Sequence, residues 1–203
     1  MTRGLVVLDR DGTLIDFHRD PELGVVTPAF HPSQVRLLPG VLDALSVLSR
    51  AGFALAIATN QPGAAKGEIP RAAIEATMAA LAARLEAAGV PLSAQEICLH
   101  HPTGGERGDP SLVGPCACRK PAPGMLLSIA RRVGVAPEHA WMVGDTAVDL
   151  AAARAAGMRA ALVAATVRCE LCPHKGAHFD GLTPDLRAPT LAEIAQQIVA
   201  LRG

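Results

Sequence analysis

The chain has 203 residues, half of them apolar, and a formal net charge of zero, which suits one domain with a sizeable core. Balanced charge gives no electrostatic reason to expect a nucleic-acid or membrane-surface partner, and the absence of Tyr argues against a base-stacking face. No apolar run reaches the ~18 residues of a membrane span, and Asp9 cuts the first run far short of a secretory leader, so a cytosolic chain is expected, with its cysteines as metal ligands or free thiols rather than disulfides.

Short apolar runs alternate with segments of helical period. "LVVL" (5–8) is a predicted strand, and "GVLDALSVLSRAG" (40–52) a helix with Val41, Leu42, Leu45 and Leu48 at helical spacing. "FALAIA" (53–58) is a strand and 69–89 a long helix opened by Pro70 and closed by Gly89. "EICLH" (96–100), "AWMVG" (140–144) and "RAALVA" (159–164) are further strands, and 123–134, 146–157 and 190–202 further helices. This β-α alternation, with apolar strands lacking strict polar alternation, predicts a parallel sheet covered on both faces, that is, an α/β chain. Two stretches resist the pattern: residues 16–38, and the Gly/Pro-rich 101–115. Loops of that length are usually functional or mobile.

Ligands of parallel α/β sheets sit beyond the carboxyl ends of the strands. Polar clusters follow three of the predicted strands: Asp9-Arg10-Asp11, Thr59-Asn60-Gln61 and Gly144-Asp145. Two acids one residue apart suit a reaction in which one carboxylate attacks phosphorus and the other moves protons. Such a site needs positive charge, from a lysine and a hard cation such as Mg²⁺. Lys120, Asp145 and the Thr59 hydroxyl are the available partners. Each has an ordinary reading too: a turn for Asp9 and Asp11, a helix cap for Asp145, a solvated charge for Lys120.

Cys98-x-His100 is followed, after fifteen residues, by Cys116-x-Cys118. Residues i and i+2 of an extended chain point to one side. Each pair can therefore grip one ion, and three sulfurs with one imidazole complete a closed tetrahedral Zn²⁺ shell of structural type. His101 is the alternative fourth ligand, and free thiols the alternative to a metal. A second group, Cys169, Cys172, His174 and His178, is either another metal site or a set of free side chains.

The segments "DRDGTL" (9–14), "ATNQPG" (58–63), "CRKPAPGM" (118–125) and "VGDTAVDL" (143–150) occur in the order found in the haloacid dehalogenase-like (HAD) superfamily, which this chain resembles over most of residues 1–165. The resemblance implies a Rossmann-like three-layer α/β/α HAD fold. It implies Asp9 as nucleophile, Asp11 as general acid/base, and Thr59 and Lys120 on the phosphoryl group. Mg²⁺ would be held by Asp9, Asp145 and the Asp11 backbone carbonyl, with Asp149 bracing from behind. The pattern Cys-x-His…Cys-x-Cys-Arg-Lys-Pro is similar to the branch that hydrolyses heptose bisphosphates and histidinol phosphate, whose members lack a large cap domain and carry a zinc-binding loop. On that likeness the whole chain, 1–203, is a single domain with a zinc loop at 98–118 and a C-terminal extension at 166–203. Its substrate is a small phosphorylated sugar, with histidinol phosphate as the alternative and a non-catalytic zinc module as a remoter one. Arg119, Asn60 and the loop residues Asp16, Arg19 and Asp20 would contact substrate, and the protein would act as a monomer.

Overall fold

The computed structural model describes residues 3–22, 24–164 and 181–201. Six parallel strands form the sheet: β1 (Gly4–Leu8), β4 (Phe53–Asn60), β5 (Ala94–Cys98), β6 (Ala140–Gly144), β7 (Arg159–Val163) and β8 (Leu186–Ala188). Their order is β5-β4-β1-β6-β7-β8. A separate antiparallel hairpin pairs β2 (His18–Asp20) with β3 (Val25–Thr27).

The strands carry side chains alternately to two faces, and both faces are apolar. Val6, Leu8, Leu55, Ile57, Trp141 and Val143 join one core. The helices on that side are α1 (Val41–Arg50), α3 (Arg71–Ala87) and α6 (Leu191–Ala200), which contribute Leu45 and Leu48, Met78 and Leu81, and Ile194 and Ile198. Leu5, Val7, Ala56, Ala58, Met142 and Leu162 join the other core, with α4 (Gly124–Val133) and α5 (Ala147–Ala156). The result is the expected three-layer α/β/α arrangement. Each fully buried leucine contributes roughly 1.5–3 kcal/mol, so the sheet is a rigid platform for what lies at its edge.

Helix ends follow local chemistry. Thr146 and Asp149 form a reciprocal capping box at the start of α5, which satisfies donors that the first turn leaves unpaired. Gly134 and Gly157 end α4 and α5 in left-handed conformation.

Besides three short 3-10 turns, the sequence did not predict the β2–β3 hairpin, a single-turn α2 (Gly63–Lys66), or β8, which adds a sixth strand where five were predicted. The hairpin and β8 are three residues per strand and carry charged residues. They are too short to show a period.

From β5 the chain crosses back over β4 and β1 to reach β6, so the strand order reverses beside β1. That reversal opens a crevice outside the carboxyl ends. Asp9 prolongs the ladder beyond β1, its amide donating to the Val143 carbonyl at 2.9 Å.

Candidate active site and zinc-type cluster

Lys120 reaches the sheet edge from the loop before α4. Its Nζ donates to Asp9 Oδ1 at 2.7 Å, to Asp149 Oδ1 at 2.6 Å and to the Ala58 carbonyl at 2.8 Å. An ammonium has three N–H donors, so all are engaged. The Lys120 side chain is 2% exposed and that of Asp149 1%. Burial works against the lysine's charge, but Asp149 and Asp9 outweigh it and keep it protonated. Asn60 locks the lysine's backbone: its Nδ2 donates to the Lys120 carbonyl at 2.9 Å and its Oδ1 accepts the Lys120 amide at 3.0 Å. Expected among the substrate contacts, Asn60 thus spends both ends of its amide on placing Lys120.

Asp145, one residue past β6, completes the group. Ligand atoms of Asp9, Asp145 and Asp149 lie within 4.8 Å of one another. Burial pushes Asp9 up to about 6, against the pull of Lys120 and with help from Asp149 and Asp11. Burial, then Asp9 and Asp149, push Asp145 up to about 8. Three carboxylates against one ammonium leave an excess of negative charge that a cation would offset. Asp145 Oδ1 is buried without a partner, so one ligand atom for that cation is already aimed and free. Asp149 is a poorer ligand, because Lys120 holds its Oδ1 while Oδ2 accepts from the Thr146 amide and hydroxyl. The donor set therefore fits a hard ion at Asp9 and Asp145, with Asp149 bracing the lysine. Gly12 makes room for it: its φ is +81°, and a Cβ there would collide with the Asp145 carboxylate.

The Asp11 carboxylate sits apart from this group, in a bracket that the sequence did not announce. Arg10, fully buried, donates Nε to Asp11 Oδ2 and Nη2 to Asp11 Oδ1, both at 3.0 Å. Its Nη2 also lies 2.9 Å from the Ala29 carbonyl and 3.0 Å from Gln61 Oε1, so its two N–H bonds are shared among three acceptors. Gln61 Nε2 then donates to Asp11 Oδ2 at 2.7 Å and to Thr59 Oγ1 at 2.9 Å. Thr59, at the end of β4, is 1% exposed. The only sequence signal for Arg10 was its place between two acids.

The cysteine loop closes as its spacing predicts. Cys98 ends β5, and its Sγ lies 3.0 Å from Cys118 Sγ and 3.8 Å from Cys116 Sγ. Cys116 and Cys118 sulfurs are 3.4 Å apart, and His100 Nδ1 is 3.4 Å from Cys118 Sγ and 3.9 Å from Cys98 Sγ. Disulfide sulfurs would be ~2.05 Å apart. A zinc tetrahedron with ~2.3 Å Zn–S bonds has edges of ~3.8 Å, so the four atoms fit a zinc shell. Burial and the neighbouring Cys118 thiol push the Cys98 thiol up, and burial likewise raises Cys118. The cluster cannot hold three thiolates without a cation to balance them. His101 stands outside the group formed by Cys98, His100, Cys116 and Cys118, and its Nδ1 accepts from the Thr103 and Gly104 amides at 3.3 and 3.1 Å. Arg119, between a zinc-type ligand and the lysine, donates Nη1 to the His100 carbonyl at 3.1 Å.

The Gly-rich part of this loop lies on α2. Gly105 and Asp109 amides donate to the Ala65 and Ala64 carbonyls at 3.1 and 3.0 Å. A Cβ on Gly105 or Gly108 would collide with α2 backbone. Asp16, Arg19 and Asp20 lie on or beside the β2–β3 hairpin. Arg19 Nη1 contacts Asp16 Oδ1 at 3.4 Å on an exposed surface, and Asp20 Oδ1 accepts the Glu22 amide at 3.0 Å. The Cys169, Cys172, His174 and His178 group lies outside the described residues.

Residues 117–194 match the family described as HAD-hydrolase-like. A D-glycero-β-D-manno-heptose-1,7-bisphosphate 7-phosphatase of Pseudomonas putida is 36% identical over 195 residues, covering 96% of this chain and 99% of that one. The enzyme of the same name from Escherichia coli is 35% identical over 153 residues, 75% of this chain and 74% of that one. Among solved structures, the D,D-heptose 1,7-bisphosphate phosphatase of B. bronchiseptica, complexed with magnesium and phosphate, superposes with a TM-score of 0.74 at 32% identity, covering 98% of this chain and 99% of that one.

Proposed function

The chain belongs to the HAD-like hydrolase family, in the branch of the heptose-bisphosphate phosphatases, and from that premise we propose that it removes the 7-phosphate of D-glycero-D-manno-heptose 1,7-bisphosphate. Asp9 Oδ attacks phosphorus and the bond to the sugar oxygen breaks. Asp11, as a carboxylic acid, gives its proton to that leaving oxygen. The Asp11 carboxylate then takes a proton from the water that attacks the aspartyl-phosphate, so inorganic phosphate leaves and both acids are restored. The Thr59 hydroxyl meets a phosphoryl oxygen, and Lys120 turns to the phosphoryl group the N–H that it gives Asp9 in the free site.

Asp9, Asp145 and the Asp11 carbonyl would hold Mg²⁺, which would supply positive charge where an anionic phosphoryl group meets an anionic nucleophile. Zn²⁺ at Cys98, His100, Cys116 and Cys118 is structural, since four protein ligands leave no open position. Arg119, fixed beside that shell, meets the second anionic group or the hydroxyls of the sugar. The Asp16–Asp20 loop forms part of the pocket wall. Among the described residues no helix is long and apolar enough to cross a membrane, and we read the chain as a single-domain cytoplasmic monomer.

One observation supports this reading most: a buried lysine bridges Asp9 and Asp149 beside an Asp145 oxygen that has no partner. A bare interaction module has no use for such a group. The test is phosphate release from heptose 1,7-bisphosphate and from histidinol phosphate, with Mg²⁺ and with chelator. Loss of the 7-phosphate only with Mg²⁺, and a clear preference for the heptose, are expected. Preference for histidinol phosphate, or no turnover of either, overturns the proposal.

A further inference from the structure

Gln61 is 5% exposed and Arg10 fully buried, yet the chemistry above uses neither. A side-chain amide has one acceptor oxygen and one donor NH₂. Arg10 takes the oxygen, so the NH₂ must face the two remaining neighbours, Asp11 Oδ2 and Thr59 Oγ1. The flipped amide would set its oxygen against a carboxylate and leave Arg10 facing N–H groups. The orientation is therefore fixed by its surroundings.

Two consequences follow for the neighbours. Thr59 Oγ1 already accepts an N–H, so its own proton points elsewhere, free for a phosphoryl oxygen. Asp11 Oδ2 accepts from both Arg10 Nε and Gln61 Nε2, whereas Oδ1 accepts from Arg10 Nη2 alone. Oδ1 is therefore the less engaged of the two carboxyl oxygens. The Gln61 backbone is itself anchored, its amide donating to the Cys98 carbonyl at 2.8 Å.

We propose that Gln61, working with Arg10, is a positioning residue that sets the Asp11 carboxyl for proton transfer. This rests on the reading of Asp11 as the general acid. A purely structural role, neutralising a buried arginine, would affect every substrate alike. In kcat/KM, which stops at release of the leaving group and so does not see the later hydrolysis of the aspartyl-phosphate, a positioning role affects only substrates whose leaving oxygen needs the proton. A sugar phosphate leaves as an alkoxide and needs it, whereas p-nitrophenyl phosphate leaves as a stable phenolate and does not.

The experiment compares kcat/KM of the metal-loaded full chain on heptose 1,7-bisphosphate and on p-nitrophenyl phosphate. Gln61→Met keeps the length of the side chain and removes both polar ends. Arg10→Lys keeps the charge, loosens the fork, and serves if the first variant does not fold by circular dichroism. Asp11→Asn is the reference. The variant is expected to lose about tenfold or more on the sugar phosphate and less than about threefold on the aryl ester, in the direction of the reference. Equal losses on both esters, or no loss on the sugar phosphate, overturn the positioning role while leaving Asp11 as the acid. If Asp11→Asn itself falls equally on both, the acid reading fails, and the positioning role with it.

Discussion

Two polar clusters are linked through the neighbouring residues Arg119 and Lys120 and differ in almost every physical respect. The carboxylate cluster at the ends of β1 and β6 uses hard oxygens, sits on rigid strands and keeps an unpartnered atom at Asp145. The thiol cluster uses soft donors, closes a Gly-rich loop and has four ligands facing one point. A place built for turnover must hold excess charge and an open position until substrate arrives. One built for holding is complete once its ion is in place. Arg119 and Lys120, next to each other in sequence, join the two.

Breaking the turnover side should have the largest effect. Asp9→Asn removes the proposed nucleophile and is expected to lower kcat by at least about a thousandfold, with the far-ultraviolet circular dichroism unchanged. Retained turnover would sink the aspartyl-phosphate route. Lys120→Met strips the partner from Asp9 and Asp149 in a nearly dry site. It should abolish activity and also cost about 3–5 kcal/mol in a urea melt, as expected when one member of a buried ion pair is removed.

The holding side should respond differently. Cys98→Ser is expected to lose bound zinc, measured by atomic emission on the purified protein, and to lower Tm by roughly 10 °C. Residual turnover should survive with a raised KM, because Arg119 is released while Asp9 and Asp11 are untouched. A zinc-free variant of unchanged Tm would show that the loop needs no staple.

The smallest effect is the sharpest in sign. Asp9 and Asp145 carboxyls are raised to about 6 and about 8 in the metal-free fold. Raised carboxyls mean that the folded state binds protons more tightly than the unfolded one. Stability of the metal-free protein therefore falls as pH climbs from the ordinary carboxylate range through those two values. Mg²⁺ relieves the same repulsion, so the Tm gained on adding it should be larger near pH ~8 than near pH ~5. An equal or reversed gain would argue against Asp9 and Asp145 as ligands.

The sequence made legible whatever depends on side-chain type at short range. Apolar runs gave β1, β4, β5, β6 and β7, and strand-end polar residues gave Asp9, Thr59 and Asp145. The two-residue spacing selected His100 over His101, because only alternate residues face one side. What stayed hidden depends on tertiary contact. Arg10 reads as a surface charge, and only the Ala29 carbonyl and Gln61, distant in sequence, make it a buried clamp. Asn60 reads as a substrate contact until Lys120 arrives from sixty residues away. The strand β8 is three residues long beside a proline, so no pattern could announce it.

The seam between the zinc-type loop and α2 has its own implication. Gly105 is exposed and Gly108 half-buried, yet neither leaves space for even one methyl group. A saturation scan scored by survival would show two intolerant surface sites there, and a reader guided by solvent accessibility would mistake them for a docking footprint.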